Sequence, residues 1–363
     1  MSGRLGEKIE ILVVDDSAFM RKVITELLES NNKFKVIDTA RNGVDALRKI
    51  EKNTPDVITL DVEMPKMNGL DFLKRLMAKR PIPTVMLSSV TAEGSEETIK
   101  ALELGAFDFI TKPSGSISLD IDKVKDELIK KVKLAAKSGV QEKINQQIKR
   151  KSSQSKKKSI SKKIEASKKS SSLKFSGSKT NLLVIGASTG GPKAIKEVMS
   201  SLPGNLQVAI LIVQHMPAGF TKSLAKRLNK LSDYKVKEAE EGDKVKAGTA
   251  LLAPGDYHML IKNGQVKLSQ GAKVHNVRPA IDKTIGSVVK DYKDSIVGVL
   301  LTGMGKDGAK GMKLIKEFGG RTIAQDEETS VVYGMPKVAY KMGAVDKVSP
   351  VYEIPNEIAK LFR

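Results

Sequence analysis

Two hydrophobic periods alternate along the first 134 positions. Short apolar runs at 9–14, 35–40, 57–60, 84–87 and 107–110 read as buried strands. Between them Phe19, Met20, Val23, Ile24, Leu27 and Leu28 recur at helical spacing, as do Val44, Leu47 and Ile50, and then Leu70, Leu73, Leu76 and Met77. Five such units predict a parallel sheet with helices on both faces. From Asp120 to Lys149 the spacing stays helical (Ile121, Val124, Leu128, Ile129, Val132) but loses apolar content, so the last helix is expected to run out into a connector. The strand–turn–helix pattern resumes at Asn181, with apolar runs at 182–185, 207–213 and 295–301 and a hairpin turned at Asn263-Gly264. Residues 327–363 show helical pieces and Pro355 but no site. The expected division is a first domain over 1–134, a helix extension and linker over 135–180, and a second domain over 181–363.

A chain of 363 residues is long enough for two such cores. It has no cysteine, which excludes disulfides, thiol nucleophiles and cysteine-ligated zinc and suits a reducing cytosol. With histidines only at 215, 258 and 275, any histidine base is one of three, and a multi-histidine metal centre is disfavoured. Residues 1–10 lack the apolar core of a signal peptide and no apolar run could cross a bilayer, so the expectation is a protein that is not membrane-embedded. The net charge is +21, but residues 149–179 hold twelve Lys/Arg against Glu165 alone and so carry +11 of it. A lysine–serine stretch this poor in apolar residues reads as a solvated tether. Attraction to an acidic partner, a membrane surface or nucleic acid is the alternative.

In a parallel sheet, ligands bind at the carboxyl ends of the strands where strand order reverses. In the first domain Asp15, Asp16, Asp61, Ser88 and Lys112 all fall at such ends. Carboxylates converging on one edge repel unless a cation sits among them, and oxygen-only ligands suit Mg²⁺. In the second domain Ser188 sits in Gly186-Ala187-Ser188-Thr189-Gly190-Gly191, between an apolar run and a helix. That spacing fits a nucleophile on a sharp turn, and equally a phosphate-binding loop or a helix cap. His215 and Asp307 follow the next two apolar runs. If the three strands are parallel neighbours, serine, histidine and aspartate meet on one edge as a triad. Strand-end histidines also serve structure alone, and His258 and His275 fit the base role less well.

Asp15-Asp16-Ser17, the stretch Leu60-Asp61-Val62-Glu63-Met64-Pro65, Ser88 and Lys112-Pro113 resemble the receiver domain of two-component response regulators. The resemblance implies a flavodoxin-like (βα)5 fold and phosphorylation at Asp61. It also implies Mg²⁺ held by Asp16, Asp61 and the Glu63 carbonyl, with Asp15 reaching it through water. Ser88 and Lys112 would contact the phosphoryl group, with a cis bond before Pro113 as one option. The motifs Gly186 to Pro192, Gln214-His215-Met216-Pro217, Ala253-Pro254-Gly255-Asp256 and Leu301-Thr302-Gly303-Met304-Gly305 to Gly308 resemble the CheB family of chemotaxis protein-glutamate methylesterases. That implies a doubly wound, mainly parallel-sheet catalytic domain without a cofactor, the triad Ser188, His215 and Asp307, and site support from the Met304 N–H and Thr189. The implied substrate is a methyl-esterified glutamate on the cytoplasmic region of a chemoreceptor, with glutamine deamidation as a further activity. The implied phosphodonor is a chemotaxis histidine kinase, the setting the cytoplasm. The rival is a response regulator whose second domain only binds, with the basic segment on nucleic acid.

Overall fold

The computed structural model describes residues 8–112, 121–138 and 181–362. The apolar runs of the first domain form β1 (Ile9–Val14), β2 (Phe34–Ala40), β3 (Val57–Asp61), β4 (Thr84–Ser88) and β5 (Asp108–Thr111). They pair in parallel in the order β2-β1-β3-β4-β5. Order reverses between β1 and β3, so Asp15 and Asp61 end neighbouring strands. Helices α1 (Ala18–Glu29), α2 (Gly43–Lys52), α3 (Gly69–Lys79) and α4 (Ala92–Leu104) each begin on a side-chain cap. Ser17, Asn42, Asn68 and Thr91 accept the N–H three residues on, satisfying a donor that a helix start leaves free. Helix α5 (Ile121–Lys137) crosses the expected boundary at 134. Phe19, expected in the apolar stripe of α1, is 56% exposed, and Ile24, Leu27 and Leu28 carry that helix's buried face.

The second domain contains β6 (Asn181–Ala187), α6 (Gly191–Ser201), β7 (Val208–Gln214), α7 (Phe220–Asn229), β8 (Lys235–Glu238) and β9 (Thr249–Leu252). The hairpin β10 (His258–Lys262) and β11 (Gln265–Ser269) follows, turning at Asn263 and Gly264, both with positive φ. Then come α8 (Ile281–Tyr292), β12 (Ile296–Leu300), α9 (Ala309–Glu317), β13 (Arg321–Gln325), α10 (Met335–Lys341), β14 (Lys347–Ser349) and α11 (Ile354–Leu361). Seven strands pair in parallel in the order β14-β13-β12-β6-β7-β9-β8. Both faces are covered, so β6, β7 and β12 are apolar and buried throughout their centres. The chain leaves β6 toward β7 and later returns to β12 on the other side, so the order reverses at β6.

The two domains pack through α4 and β5 of the first and α6 and α7 of the second. Phe109 on β5 meets Phe220 on α7 with ring centroids 4.5 Å apart, and one apolar cluster runs through this pair into both cores. Around it, Arg227 donates two hydrogen bonds to Glu103, of 2.9 and 2.8 Å, and Lys196 lies 3.3 Å from the same carboxylate. Burial raises the Glu103 pKa, but the Arg227 and Lys196 contacts outweigh it and hold the carboxyl below its ordinary value. Among the described residues, no helix is long and apolar enough to cross a membrane.

Candidate active site

Three adjacent strands deliver Ser188, His215 and Asp307 to one edge. Ser188 follows β6, His215 follows β7, and Asp307 lies in the loop after β12. Register ties the first two together, because the His215 N–H donates to the Ala187 carbonyl at 3.1 Å. The Ser188 N–H donates to Thr302 O at 3.0 Å, bringing in β12. His215 Nε2 lies 2.8 Å from Asp307 Oδ2, leaving Nδ1 as the ring nitrogen available to Ser188. Asp307 is buried and also accepts the N–H groups of Ile281 (2.6 Å) and Asp282 (3.1 Å) at the start of α8. Burial pushes its carboxyl up, but His215 and these two donors more than offset that, so its pKa is lowered and it stays ionised.

The backbone after β12 runs close against Ser188. A Cβ on Gly303 would fall 2.7 Å from Ser188 Cβ, so only glycine lets the chain after β12 pass this close. Among the described residues neither the Met304 N–H nor the Thr189 N–H makes a hydrogen bond. Gln214 braces the loops after β6 and β7, donating from Nε2 to the carbonyls of Ser188 and His215 at 3.0 Å each. Thr302 performs a similar task through its hydroxyl, which donates to Thr189 O (3.0 Å) and accepts the Val332 N–H (2.9 Å).

Thr189 supplies no hydroxyl to the edge in this state. Its Oγ1 donates to Asp108 Oδ2 of β5 at 2.7 Å, a bond between the domains one residue from Ser188. Lys131 on α5 stands 3.4 Å from the other oxygen of Asp108. Val331 and Val332 pack against the first domain's apolar cluster as well. The first domain therefore abuts the Ser188 edge directly.

The sequence motifs contained Gln214 and Thr302 without marking a role for either. A polar residue closing an otherwise apolar strand was the available signal. Nothing local pointed to Asp108 or to the 326–335 segment. His258 is buried with Nε2 3.0 Å from Ala272 O, and His275 sits on a tight turn with positive φ, 4.0 Å from Asp282. Neither joins the edge with Ser188.

In the first domain, Asp15, Asp16 and Asp61 offer oxygens within 4.8 Å of one another. This all-carboxylate set fits Mg²⁺. Lys112 Nζ stands 2.9 Å from Asp15 and 2.8 Å from Asp61. The Glu63 N–H approaches Asp61 at 3.4 Å. Ser88 is turned toward α4, donating to Gly94 O at 3.2 Å and accepting from Thr98 at 2.6 Å. Pro113, and with it the bond from Lys112, lies outside the described residues, as do 139–180 with nearly all of the expected tether.

Burial pushes the Asp61 carboxyl up to about 6, with Lys112 opposing and Asp15 adding to the rise. A raised acid contributes stability below its unfolded pKa and loses it as pH climbs through the folded value. Asp61→Asn is therefore expected to raise the thermal midpoint at pH 7.5 in EDTA, by about 1–3 kcal/mol of stability, and to do so far less at pH 4. Thermal melts of both proteins at the two pH values check this, and an equal difference at both would contradict it.

The fold and these two sites define a response regulator in which a doubly wound α/β domain carries a hydrolase-like edge. The family model described as response regulator receiver domain matches residues 11–121, and that described as CheB methylesterase matches residues 183–358. The chain is 49% identical over 363 residues to the protein-glutamate methylesterase/protein-glutamine glutaminase of Symbiobacterium thermophilum, covering 99% of each. It is 46% identical to the protein of the same name from Pyrococcus abyssi, covering 98% of this chain and 94% of the other. The solved CheB methylesterase catalytic domain of Thermotoga maritima is 47% identical over 50% of this chain and 99% of its own, with a TM-score of 0.49. The chain belongs to the CheB family of protein-glutamate methylesterases.

Proposed function

We propose that this protein is a phosphorylation-activated esterase that removes methyl groups from glutamate side chains of chemoreceptors, with Ser188, His215 and Asp307 as its catalytic residues. The single observation that carries the assignment of residues is the convergence of those three at the ends of adjacent parallel strands, with Asp307 bonded to His215. The identity to full-length relatives of that name supports the reaction and sets aside a second domain that only binds.

His215 Nδ1 takes the Ser188 proton as Oγ attacks the ester carbonyl, and Asp307 stabilises the imidazolium from the Nε2 side. The Met304 and Thr189 N–H groups donate to the oxygen as it gains charge. The imidazolium returns its proton to the departing methoxide, methanol leaves, and a glutamyl ester on Ser188 remains. His215 then deprotonates water, which attacks that ester and releases the glutamate carboxylate with Ser188 restored. The relatives' second name, protein-glutamine glutaminase, corresponds to the same steps with ammonia as the leaving group.

In the receiver, Asp61 is the group that accepts a phosphoryl from a chemotaxis histidine kinase, with Asp15 and Asp16 beside it and Lys112 to pair with the phosphoryl oxygens. Mg²⁺, when bound at the three aspartates, would offset charge on that group. A phosphoryl on Asp61 draws Ser88 away from Gly94 and Thr98, loosening α4, which lies against the catalytic domain. In the unphosphorylated state the receiver holds Thr189 through Asp108 and covers the Ser188 edge. The protein works in the cytoplasm, where both the kinase and the receptor's modified helices are found.

The test is methanol release from methylated chemoreceptor membranes, measured with and without a small acyl-phosphate donor and Mg²⁺. Release that rises with the donor, and a rise that disappears in Asp61→Asn, is expected. No release under any condition, and no labelling of Ser188 by a serine-directed phosphonate, would return the binding-domain reading.

A further inference from the structure

Behind the triad lies a second, half-buried carboxylate, Asp282, in the first turn of α8. Asp282 and Asp307 exchange caps. Asp307, just before α9, accepts the first N–H groups of α8 from Ile281 and Asp282. Asp282 Oδ1 in turn accepts the Gly311 N–H of α9 at 2.7 Å. Each helix start is thus closed by a carboxylate carried at the start of the other, and Asp307 is fixed between them. Asp282 Oδ2 is buried and has no hydrogen-bond partner.

We propose that Asp282 is a positioning residue of the esterase: through Gly311 it fixes the start of α9 and so the orientation of Asp307, and its charge supports the imidazolium formed at His215. This rests on the triad assigned above. The charged and titratable groups facing Asp282 are Asp307 from the loop after β12, with His215 bonded to it from the end of β7, and His275, whose Nε2 stands 4.0 Å from Oδ2. On β10, His258 is turned instead to Ala272 O. Burial is the main cause that raises the Asp282 carboxyl above its ordinary value, the Gly311 N–H opposing and the Asp307 charge adding. A half-buried carboxylate with one oxygen unpartnered is electrostatically costly beside an ionised one. Its place there is accounted for if the cap and the charge serve the triad.

The test uses the full chain with phosphodonor and Mg²⁺, methylated chemoreceptor membranes as substrate, and rates normalised to sites titrated by a serine-directed phosphonate. Asp282→Asn keeps an acceptor oxygen for Gly311, so its melting point should change little. Its kcat/KM profile should move its acidic limb to lower pH by about half a unit to one unit, because less negative charge faces the imidazolium. Asp282→Ala removes the acceptor too, and kcat should fall about tenfold to a hundredfold with KM little changed. Wild-type kcat and an unmoved acidic limb in both variants, or losses that vanish on normalisation to titrated sites, would overturn the proposal while leaving the triad intact. If the wild-type protein releases no methanol, the esterase reading fails and the positioning role fails with it.

Discussion

Ser188→Ala is expected to abolish methanol release, with kcat reduced on the order of 10⁴-fold or more, while receptor binding is retained. The size follows from what the serine does. Without Oγ there is no covalent glutamyl intermediate, and only backbone donors and bound-state orientation remain to help water attack the ester. Asp307→Asn should cost on the order of 10³–10⁴-fold by a different route. Its amide would present an N–H or a weaker acceptor to His215 Nε2, so the imidazole loses both its held tautomer and the charge that stabilises its cation. The same change weakens the cap on Ile281 and Asp282, so a modest drop in melting temperature should accompany it. Single-turnover release from methylated membranes, alongside phosphonate labelling, separates the two variants. Ser188→Ala should neither react nor label, whereas Asp307→Asn should label slowly. Release within tenfold of wild type in either variant would contradict the assigned roles.

The second large effect concerns the face between the domains. Phe109→Ala with Glu103→Ala removes the aromatic contact to Phe220 and the paired hydrogen bonds to Arg227. Both substitutions lie in the receiver, so the catalytic sheet is untouched. Truncation of a central aromatic and of one partner of a charged pair each costs an interface about 1–3 kcal/mol. Every 1.4 kcal/mol or so is tenfold in an equilibrium. Basal methanol release without a phosphodonor should therefore rise about tenfold or more, up to the ceiling set by the fully open state. Basal release equal to wild type, with the double variant folded, would mean that this face does not hold the enzyme down.

Much of the molecule could be read from its apolar runs. Central strands of a parallel sheet are buried on both faces, so β1, β3 and β4, and later β6, β7 and β12, stand out as unbroken apolar segments with bounds close to those observed. The polar residues at their carboxyl ends were legible for the same reason, because Asp61, Ser188 and His215 end or follow apolar strands. Asp307 lies seven residues beyond the end of β12, and its place beside His215 depends on strand order, which no local pattern encodes. The interface was invisible. Phe109 and Phe220 look in sequence like any core aromatic, and the Asp108–Thr189 bond joins positions 81 apart. The 326–335 segment carried no motif because it acts through backbone groups, with Val332 N–H bonded to Thr302 and Gly303 N–H to Val332 O. Asp282 was likewise unmarked, since a carboxylate in the first turn of a helix is ordinary.

The linkage between the two sites has a clear thermodynamic form. Phosphorylation can activate only by as much as it weakens the closed arrangement relative to the open one. A chain already opened by substitution has little left to gain. The decisive measurement is thus the ratio of methanol release with and without acyl phosphate and Mg²⁺, compared between the wild-type chain and the Phe109→Ala, Glu103→Ala double variant. A large ratio in the wild type that collapses toward one in the double variant, through a raised basal rate, is the expected result. A high, unchanged ratio on an unchanged basal rate would contradict control through this face.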